Sequence, residues 1–420
     1  MARHSRFQSG RKPQGHPGFP LKEVHVTGPF SFLNPTSAHY ALIRDPTRDP
    51  NTEPSKEYHV IPQVERLWRS RDNRKGRHAV QVDTKVSPHE TGIMPPESTR
   101  SVSAVAKGLL RMATYAPYWD VSYLVATSFT FGSAIWILNA FFAWLPHAAP
   151  KTKFHNESLI AGGVTGLLGG LVFEIGSVLL LLEAINTNNT GCFGWALEAV
   201  VSRPSEDGVH QRGMTELKPS VSECEHHHAN RRSFLRMKHP RGDTRAESRL
   251  DEHGYVTYSP DGRSFRWIPS MKEVRTHYIH ELGFLASLIE FVSATIFWVA
   301  TISGAPGIFN HMSQGLTDGI YWIPQIVGGT GFILSGLLFT LETQTKWYIP
   351  AWHVLGWHVG VWNLIGGIGF TLCGALGPAS NDSRFAYQST LATFWGSVAF
   401  MIGSMIQWYE SLQKYPVEKK

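Results

Sequence analysis

Six long apolar stretches decide what this 420-residue chain can fold into. A helix needs about 20 consecutive apolar residues to cross a hydrocarbon core roughly 30 Å thick, and each stretch is long enough. They run over residues 121–145, 158–186, 278–302, 320–341, 352–376 and 386–408. Tryptophans gather near their ends, where amphipathic rings settle in a bilayer. The sequence therefore predicts an all-α membrane protein with about six transmembrane helices.

The basic residues are distributed as in a multi-pass membrane protein. Lys and Arg number 39 against 33 Asp and Glu, and most of them lie in residues 1–118 and in the loop 187–277. The positive-inside rule places these segments, and the tail 411–420, in the cytoplasm, because cations collect on that side. The near-membrane cations count most: Lys107, Arg111, Lys272 and Arg275. This pattern favours topology signals over nucleic-acid binding. We also expect contact with anionic lipids at the cytoplasmic face, and a secretory-pathway or plasma membrane rather than a mitochondrial one.

The N-terminal arm, residues 1–118, is rich in Pro, Arg, His and Ser and shows little periodicity before residue 57. We expect it to be largely disordered. Two pieces are predicted to be ordered: a short helix over 60–68 and an amphipathic segment over 102–112. The second places Val105, Leu109 and Met112 opposite Lys107 and Arg111, which suits a helix lying in the membrane interface.

The connecting loops carry three further signals. Glycosylation sequons begin at Asn156 and Asn381, in loops assigned to the outside. Cys224 and the histidines 226–228 have metal-binding side chains, but consecutive residues cannot all face one ion, so a solvated tract is favoured. We expect no metal and no cofactor. Alternating runs around a Pro-Asp-Gly turn at 255–268 predict a small cytoplasmic β-hairpin.

The even-numbered spans share one pattern, which predicts three repeated helical hairpins over 119–186, 278–341 and 342–410. A small pair, a phenylalanine, a second small pair and a glutamate recur with identical spacing. The pattern comprises Gly169-Gly170, Phe173, Gly176-Ser177 and Glu183; Gly328-Gly329, Phe332, Ser335-Gly336 and Glu342; and Gly396-Ser397, Phe400, Gly403-Ser404 and Glu410. Small residues let helix backbones approach closely in lipid. The pairs either stitch the bundle together or line a pathway between repeats.

Polar residues at membrane depth form a first group of candidate site residues. Glu174 and Glu290 lie near the middle of their spans, where a charge is costly. The repeat alignment matches Glu290 to Thr130 and Asn363, and Gln325 lies on the opposite side of the core. These side chains bind an ion or proton on a pathway, or they are neutral and hold helices together by hydrogen bonds. The residues leave both alternatives open.

The repeated glutamates Glu183, Glu342 and Glu410 form a second group, at the cytoplasmic ends of their helices. A helix C-terminus carries partial negative charge, so acids recurring there suggest cationic partners. We predict a ring of ion pairs with residues that open the odd-numbered spans: His280, His353, Arg275 and Lys346. Solvated interfacial acids are the alternative.

Two resemblances follow from these residues. Residues 254–415, with YIHELG at 278–283 and WHVGVWN at 357–363, resemble a family of uncharacterised fungal multi-pass integral membrane proteins. The FMIGS segment at 400–404 resembles the Phe-x-x-Gly-Ser core of the YrhK-like two-helix membrane unit, from which Ser335-Gly336 departs. The resemblances imply a membrane fold and no activity.

The leading functional hypothesis is a transporter or channel-like protein for protons or a small solute, with Glu174 and Glu290 as binding groups. A non-enzymatic scaffold or sensor, which binds lipids or proteins through its basic segments, is the alternative. An intramembrane enzyme ranks third, since no nucleophile with a paired base and no HExxH or GxSxG motif occurs. Transport predicts a water-accessible path that meets both glutamates, whereas a scaffold predicts a sealed bundle.

Overall fold

The computed structural model describes residues 21–44, 59–83, 93–94, 97–118, 120–187, 215–216 and 268–420. The helices in this part of the chain are α1 (Ser70–Arg74), α2 (Val102–Thr114), α3 (Val121–Ala148), α4 (Glu157–Ile185), α5 (Met271–Thr276), α6 (Leu282–Ser303), α7 (Gln314–Glu342), α8 (Leu355–Ala379) and α9 (Ser383–Leu412). All except α1, α2 and α5 are long and apolar enough to cross a membrane. The prediction of about six helices that are long and apolar enough to span a membrane is confirmed.

Helix caps explain where the observed spans differ from the apolar stretches. α9 begins three residues before the predicted span because the Asp382 carboxylate accepts a hydrogen bond from the backbone N–H of Arg384. α4 starts with a π-helical turn, Glu157–Gly162, and α7 contains a second one, Asp318–Trp322. Polar caps and irregular turns lie outside an apolar window, so hydropathy alone places the ends poorly.

The six spans form a closed ring in chain order, in which each helix packs on the next and α9 packs on α3. Glycines bring neighbouring backbones together, most clearly between α7 and α8. A Cβ atom on Gly336 would lie 2.6 Å from the backbone nitrogen of Leu364, and one on Gly367 would lie 2.7 Å from that of Ile333. Such contacts leave no room for a side chain, as expected for helices that associate by close packing.

One aromatic side chain from each span fills the centre of the ring. We call this group the aromatic cluster; it consists of Trp136, Phe173, Phe297, Phe332, Phe370 and Phe400. Neighbouring ring centroids lie 5.0 to 6.4 Å apart, as in Trp136–Phe370 and Trp136–Phe173. This spacing is typical of edge-to-face and tilted aromatic packing. The rings are all buried, so the axis of the bundle is filled at this level.

A five-stranded sheet covers one end of the bundle. Its order is β1 (Leu21–Thr27), β2 (Ser37–Arg44), β3 (His59–Arg69), β4 (Ala79–Val82) and β7 (Val417–Lys419), and only the β4–β7 pair is parallel. β5 (Ile93–Met94) and β6 (Thr215–Glu216) form a separate two-residue pair. The end of the bundle that carries the five-stranded sheet is called the sheet side, and the opposite end the far side.

The sheet corrects two predictions for the N-terminal arm. Residues 21–44 were expected to be disordered and instead form β1 and β2, and the helix expected over 60–68 is the strand β3. β2 changes register against β3 between Ala41 and Leu42, and Pro62 lies in the unpaired residues of β3 at this irregularity. A proline is tolerated there because a bulge needs no ladder hydrogen bond. The irregular spacing conceals the strand alternation from a sequence pattern.

The amphipathic segment expected at 102–112 is confirmed as a helix, α2, whose first turn is capped by the Ser101 hydroxyl. The predicted β-hairpin at 255–268 lies almost entirely outside the described residues. Cys224 and the histidines 226–228 lie outside them as well.

Candidate functional site

The β3–β4 connection forms a compact cationic turn that enters the sheet side of the bundle. We call residues 70–77, Ser-Arg-Asp-Asn-Arg-Lys-Gly-Arg, the basic turn. It comprises α1 and the residues that follow it, and Gly76 adopts φ 62°. This left-handed conformation ends the short helix and returns the chain toward β4, and glycine adopts it without strain. Arg77 closes the turn, because its backbone N–H donates to the carbonyl of Asp72 over 2.8 Å.

Three glutamates bind the cations of the basic turn. Each lies at the sheet-side end of an even-numbered span, that is, of α4, α7 or α9, the second, fourth and sixth of the six spans. Arg74 bridges two spans: its Nη1 lies 3.2 Å from Glu183 of α4 and its Nη2 lies 2.7 Å from Glu342 of α7. Arg71 donates to Glu410 of α9 over 2.7 Å. A single turn therefore joins α4, α7 and α9.

Further contacts join the basic turn to the same glutamates. Lys75 lies 3.4 Å from Glu183, and the Ser70 hydroxyl donates to Glu342 over 2.9 Å. Arg77 donates to Asp72 over 2.6 Å and to Glu410 over 2.8 Å. The four cations of the turn are thus matched by four carboxylates. This balance is what burial requires, since an unpaired charge in a dry interior is costly.

Burial of this ion-pair cluster is nearly complete. The side chain of Arg74 is 2% exposed and that of Glu342 is 0% exposed. Burial opposes the charge of Arg71, yet Glu410, Glu342 and Glu183 raise its pKa above the usual value. Burial also lowers the pKa of Lys75, to about 8, although Glu183 opposes the shift. Arg71 therefore stays charged, and Lys75 titrates with a pKa of about 8.

The C-terminal segment holds the basic turn in place from the aqueous side. Lys414 donates to the carbonyl of Lys75 over 2.9 Å, and Arg77 donates to the carbonyl of Gln413 over 2.9 Å. Next to the turn, Arg69 forms a bidentate pair with Glu418 of β7, at 2.7 and 2.9 Å. The turn is consequently fixed by side chains on both of its faces.

A small cavity lies between the basic turn and the aromatic cluster. Its volume is about 20 Å³, which is room for one or two water molecules. Polar side chains from three different spans line it: Glu290 of α6, Asn363 of α8 and Gln407 of α9. Arg71, Arg74 and Lys75 form its sheet-side wall, and Phe400 of the aromatic cluster contributes to its lining. This arrangement can bind water or a proton inside an otherwise apolar bundle.

The remaining membrane-depth candidates lie apart from this cavity. Thr130 is buried and donates to the carbonyl of Ala126 within its own helix. Gln325 is buried beside Cys373, whose sulfur lies 3.7 Å from its amide oxygen. Glu174 is partly exposed on the outer surface and accepts a hydrogen bond from the exposed Thr295 over 2.9 Å. The structure therefore brings Glu290 and Asn363 together and leaves Glu174 outside.

The predicted partners of the interfacial glutamates require correction. His353 is exposed and packs against Trp352, and the Nδ1 atom of His280 is buried without a hydrogen bond among the described residues. Glu183, Glu342 and Glu410 are bound by the basic turn instead. The missed signal was local: four cations and one acid occur within residues 71–77, directly after a segment misread as a helix.

The two predicted glycosylation asparagines both lie on the far side. Asn156 and Asn381 are both exposed, and each lies within two residues of the start of a span, α4 or α9.

No protein-family model, curated protein or solved structure matches the chain.

Proposed function

We propose that this chain is a non-enzymatic membrane scaffold or sensor, in which a closed six-helix bundle holds an aqueous sheet at the cytoplasmic face of a bilayer. The observation that carries the proposal is the basic turn buried at the mouth of the bundle. It connects the sheet to α4, α7 and α9 through buried ion pairs. A sheet tied to three spans cannot shift without them, so a partner that binds the sheet also acts on the bundle.

The filled axis favours this function over an open channel. The aromatic cluster closes the centre of the ring, and the basic turn closes its sheet side. The buried cations of the turn are also engaged inside the protein. They are therefore unavailable for binding lipids or nucleic acid, and the exposed surface of the sheet is the candidate contact area for a protein partner.

The proposed architecture is three repeats of a helical hairpin around one axis. Each even-numbered span gives a phenylalanine to the aromatic cluster and ends in a glutamate that contacts the basic turn. All three repeats run in the same direction, as in parallel-repeat membrane proteins. The sheet side is proposed to be cytoplasmic, which is supported by the near-membrane cations and by the far-side position of the two sequons.

Transport of protons or a small solute is the second candidate, and the cavity favours it. Glu290 is a carboxyl group inside the bundle, it lines a space large enough for water, and Asn363 and Gln407 lie beside it. Under this function the basic turn and the aromatic cluster are two closed gates. Glu174 has no place on such a path, because it lies on the outer surface.

Flux in proteoliposomes separates the two functions. The scaffold function predicts no proton or cation flux above that of empty liposomes, for the intact protein and for Glu290→Gln alike. Flux that is lost in Glu290→Gln and retained in Glu174→Gln would support transport and overturn the scaffold. The Glu174 variant is the matched control, since it removes a carboxyl at similar depth outside the cavity.

Hydrogen exchange in detergent tests the coupling directly. We expect Arg74→Gln to increase amide exchange in the basic turn and also at the sheet-side ends of α4 and α7, because Arg74 contacts both. Faster exchange that is confined to the turn would contradict a sensor in which the sheet acts on the spans.

A further inference from the structure

Three exposed segments surround the bundle on the sheet side. Each lies just before an odd-numbered span, that is, before α3, α6 or α8, the first, third and fifth of the six spans. We call them the collar: α2 before α3, residues 268–276 before α6, and residues 345–353 before α8. Large apolar side chains project from all three: Val102, Leu109 and Leu110; Ile268 and Met271; Trp347, Tyr348 and Trp352. Val102 is 88% exposed and Trp352 is 72% exposed. Water is a poor environment for so much apolar surface at one level of the molecule.

The packing of α2 fixes how this helix faces the bilayer. Its partly buried residues, Ala104, Gly108 and Met112, recur every four positions and share one face. Gly108 lies against the Tyr409 ring of α9, so close that a Cβ atom would come within 2.5 Å of it. The helix therefore lies along the side of the bundle with a fixed roll about its own axis.

This roll separates apolar residues from cations. At about 100° per residue, Val105 and Leu109 lie on one side of the α9 contact, and Lys107 and Arg111 lie on the other. All four are exposed. A helix held in this way turns an apolar face toward the membrane core and a basic face toward water, which is the arrangement of an interfacial helix.

The charge of the collar has one sign. Its exposed cations are Lys107, Arg111, Lys272, Arg275 and Lys346. Its one acid, Glu273, is engaged in the capping box of α5, where its carboxylate accepts from the backbone and the hydroxyl of Ser270. Lys346 also lies over the Tyr348 ring, at 5.7 Å from the centroid. Cations beside interfacial aromatic rings suit phosphate groups at the surface of a leaflet.

We propose that the collar is a binding surface for anionic phospholipid headgroups of the leaflet on the sheet side. Its apolar side chains enter the boundary between headgroups and acyl chains, while its cations contact the phosphates. Three segments placed around the ring fix the depth of the bundle from three directions. This inference does not depend on whether the bundle is a scaffold or a transporter.

The depth of the collar is tested in nanodiscs with nitroxide-labelled lipids. In a background without Cys192, Cys224 and Cys373, a polarity-sensitive dye is attached at Leu109→Cys or at Lys107→Cys. We expect strong quenching by an acyl-chain nitroxide at position 109 and several-fold weaker quenching at position 107, because the two residues lie on opposite sides of the helix. Equal quenching at both positions, or none at position 109, would overturn the interfacial placement of α2.

Lipid preference is tested with spin-labelled phosphatidylserine and phosphatidylcholine in the reconstituted protein. The intact protein should prefer the anionic lipid, and Lys107→Gln with Lys346→Gln should reduce that preference about threefold or more. Lys151→Gln with Lys153→Gln is the matched control, because it removes two exposed cations from the far side. No preference in the intact protein, or the same loss in both double variants, would refute the collar as the anionic-lipid surface.

Discussion

Neutralising Arg74 should destabilise the whole protein, because this side chain holds two buried carboxylates. Among the described residues, Arg74→Gln leaves Glu342 hydrogen-bonded by the Ser70 hydroxyl and Glu183 paired with Lys75. Arg74 and both glutamates are almost completely inaccessible to water. Removing one partner of a buried ion pair typically costs about 3–5 kcal/mol, since the other charge stays buried. For a chain of this size that corresponds to a fall in melting temperature of about 5 °C.

The assay is thermal unfolding in detergent, followed by size-exclusion chromatography of heated samples. Arg384→Gln is the matched control: Arg384 also pairs with an acid, Asp382, but it is 86% exposed on the far side. We expect the control to melt like the intact protein, because exposed ion pairs contribute little. The double variant Arg74→Gln with Glu342→Gln should lose less stability than the two single variants lose when their losses are added, because it removes both members of a pair. An Arg74→Gln protein that melts unchanged, or strictly additive effects, would show that the cluster does not hold the sheet to the bundle.

Three further predictions concern packing, topology and pH. Gly336→Val should lower the melting temperature by several degrees, because its side chain would collide with α8, whereas Gly315→Val, which has open space, should not. A cysteine at Lys151 should react with an impermeant maleimide in intact cells, and one at Lys107 only after permeabilisation; the reverse order would invert the proposed topology. The folded-state pKa of Lys75 is lowered to about 8 from 10.5, so the unfolded chain binds more protons between these values and stability should rise with pH there. The melting temperature of the intact protein relative to Lys75→Met should therefore increase from pH 8 to pH 10, and a constant difference would contradict a buried, titrating Lys75.

The spans could be predicted because the residues that specify each helix lie within the helix itself. Each stretch of about 20 apolar residues specifies a helix in lipid without reference to the rest of the chain. That Glu290 and Asn363 lie at a similar depth could also be predicted from the alignment of the odd-numbered spans, and both line one cavity. Glu174 was harder to place, because hydropathy gives the depth of a residue and not the direction in which it points. Its outward orientation depends on how α4 packs between α3 and α6.

The sheet and its basic turn could not be predicted, because they are stabilised by contacts between residues that are far apart in the sequence. β4 pairs with β7 at the other end of the chain, and Arg69 pairs with Glu418 across 349 positions. The first three strands carry many polar residues and one proline, Pro62, so their sequence resembles a chain without order. Their pairing also changes register, which interrupts the strand alternation. The ion pairs of the turn have the same character: Arg71 and Glu410 are 339 positions apart. Only the closed ring of helices brings these groups together.

The proposed threefold repeat explains why the cations had to come from outside it. Three hairpins around one axis bring Glu183, Glu342 and Glu410 toward a common centre, where like charges repel. A cation supplied by every repeat would place three more side chains at the same crowded point. A single segment on the axis neutralises the glutamates with fewer cationic side chains, since Arg74 alone contacts two of them. A single segment cannot itself be threefold, so it must belong to a part of the chain without the repeat, and the β3–β4 connection of the sheet is that part.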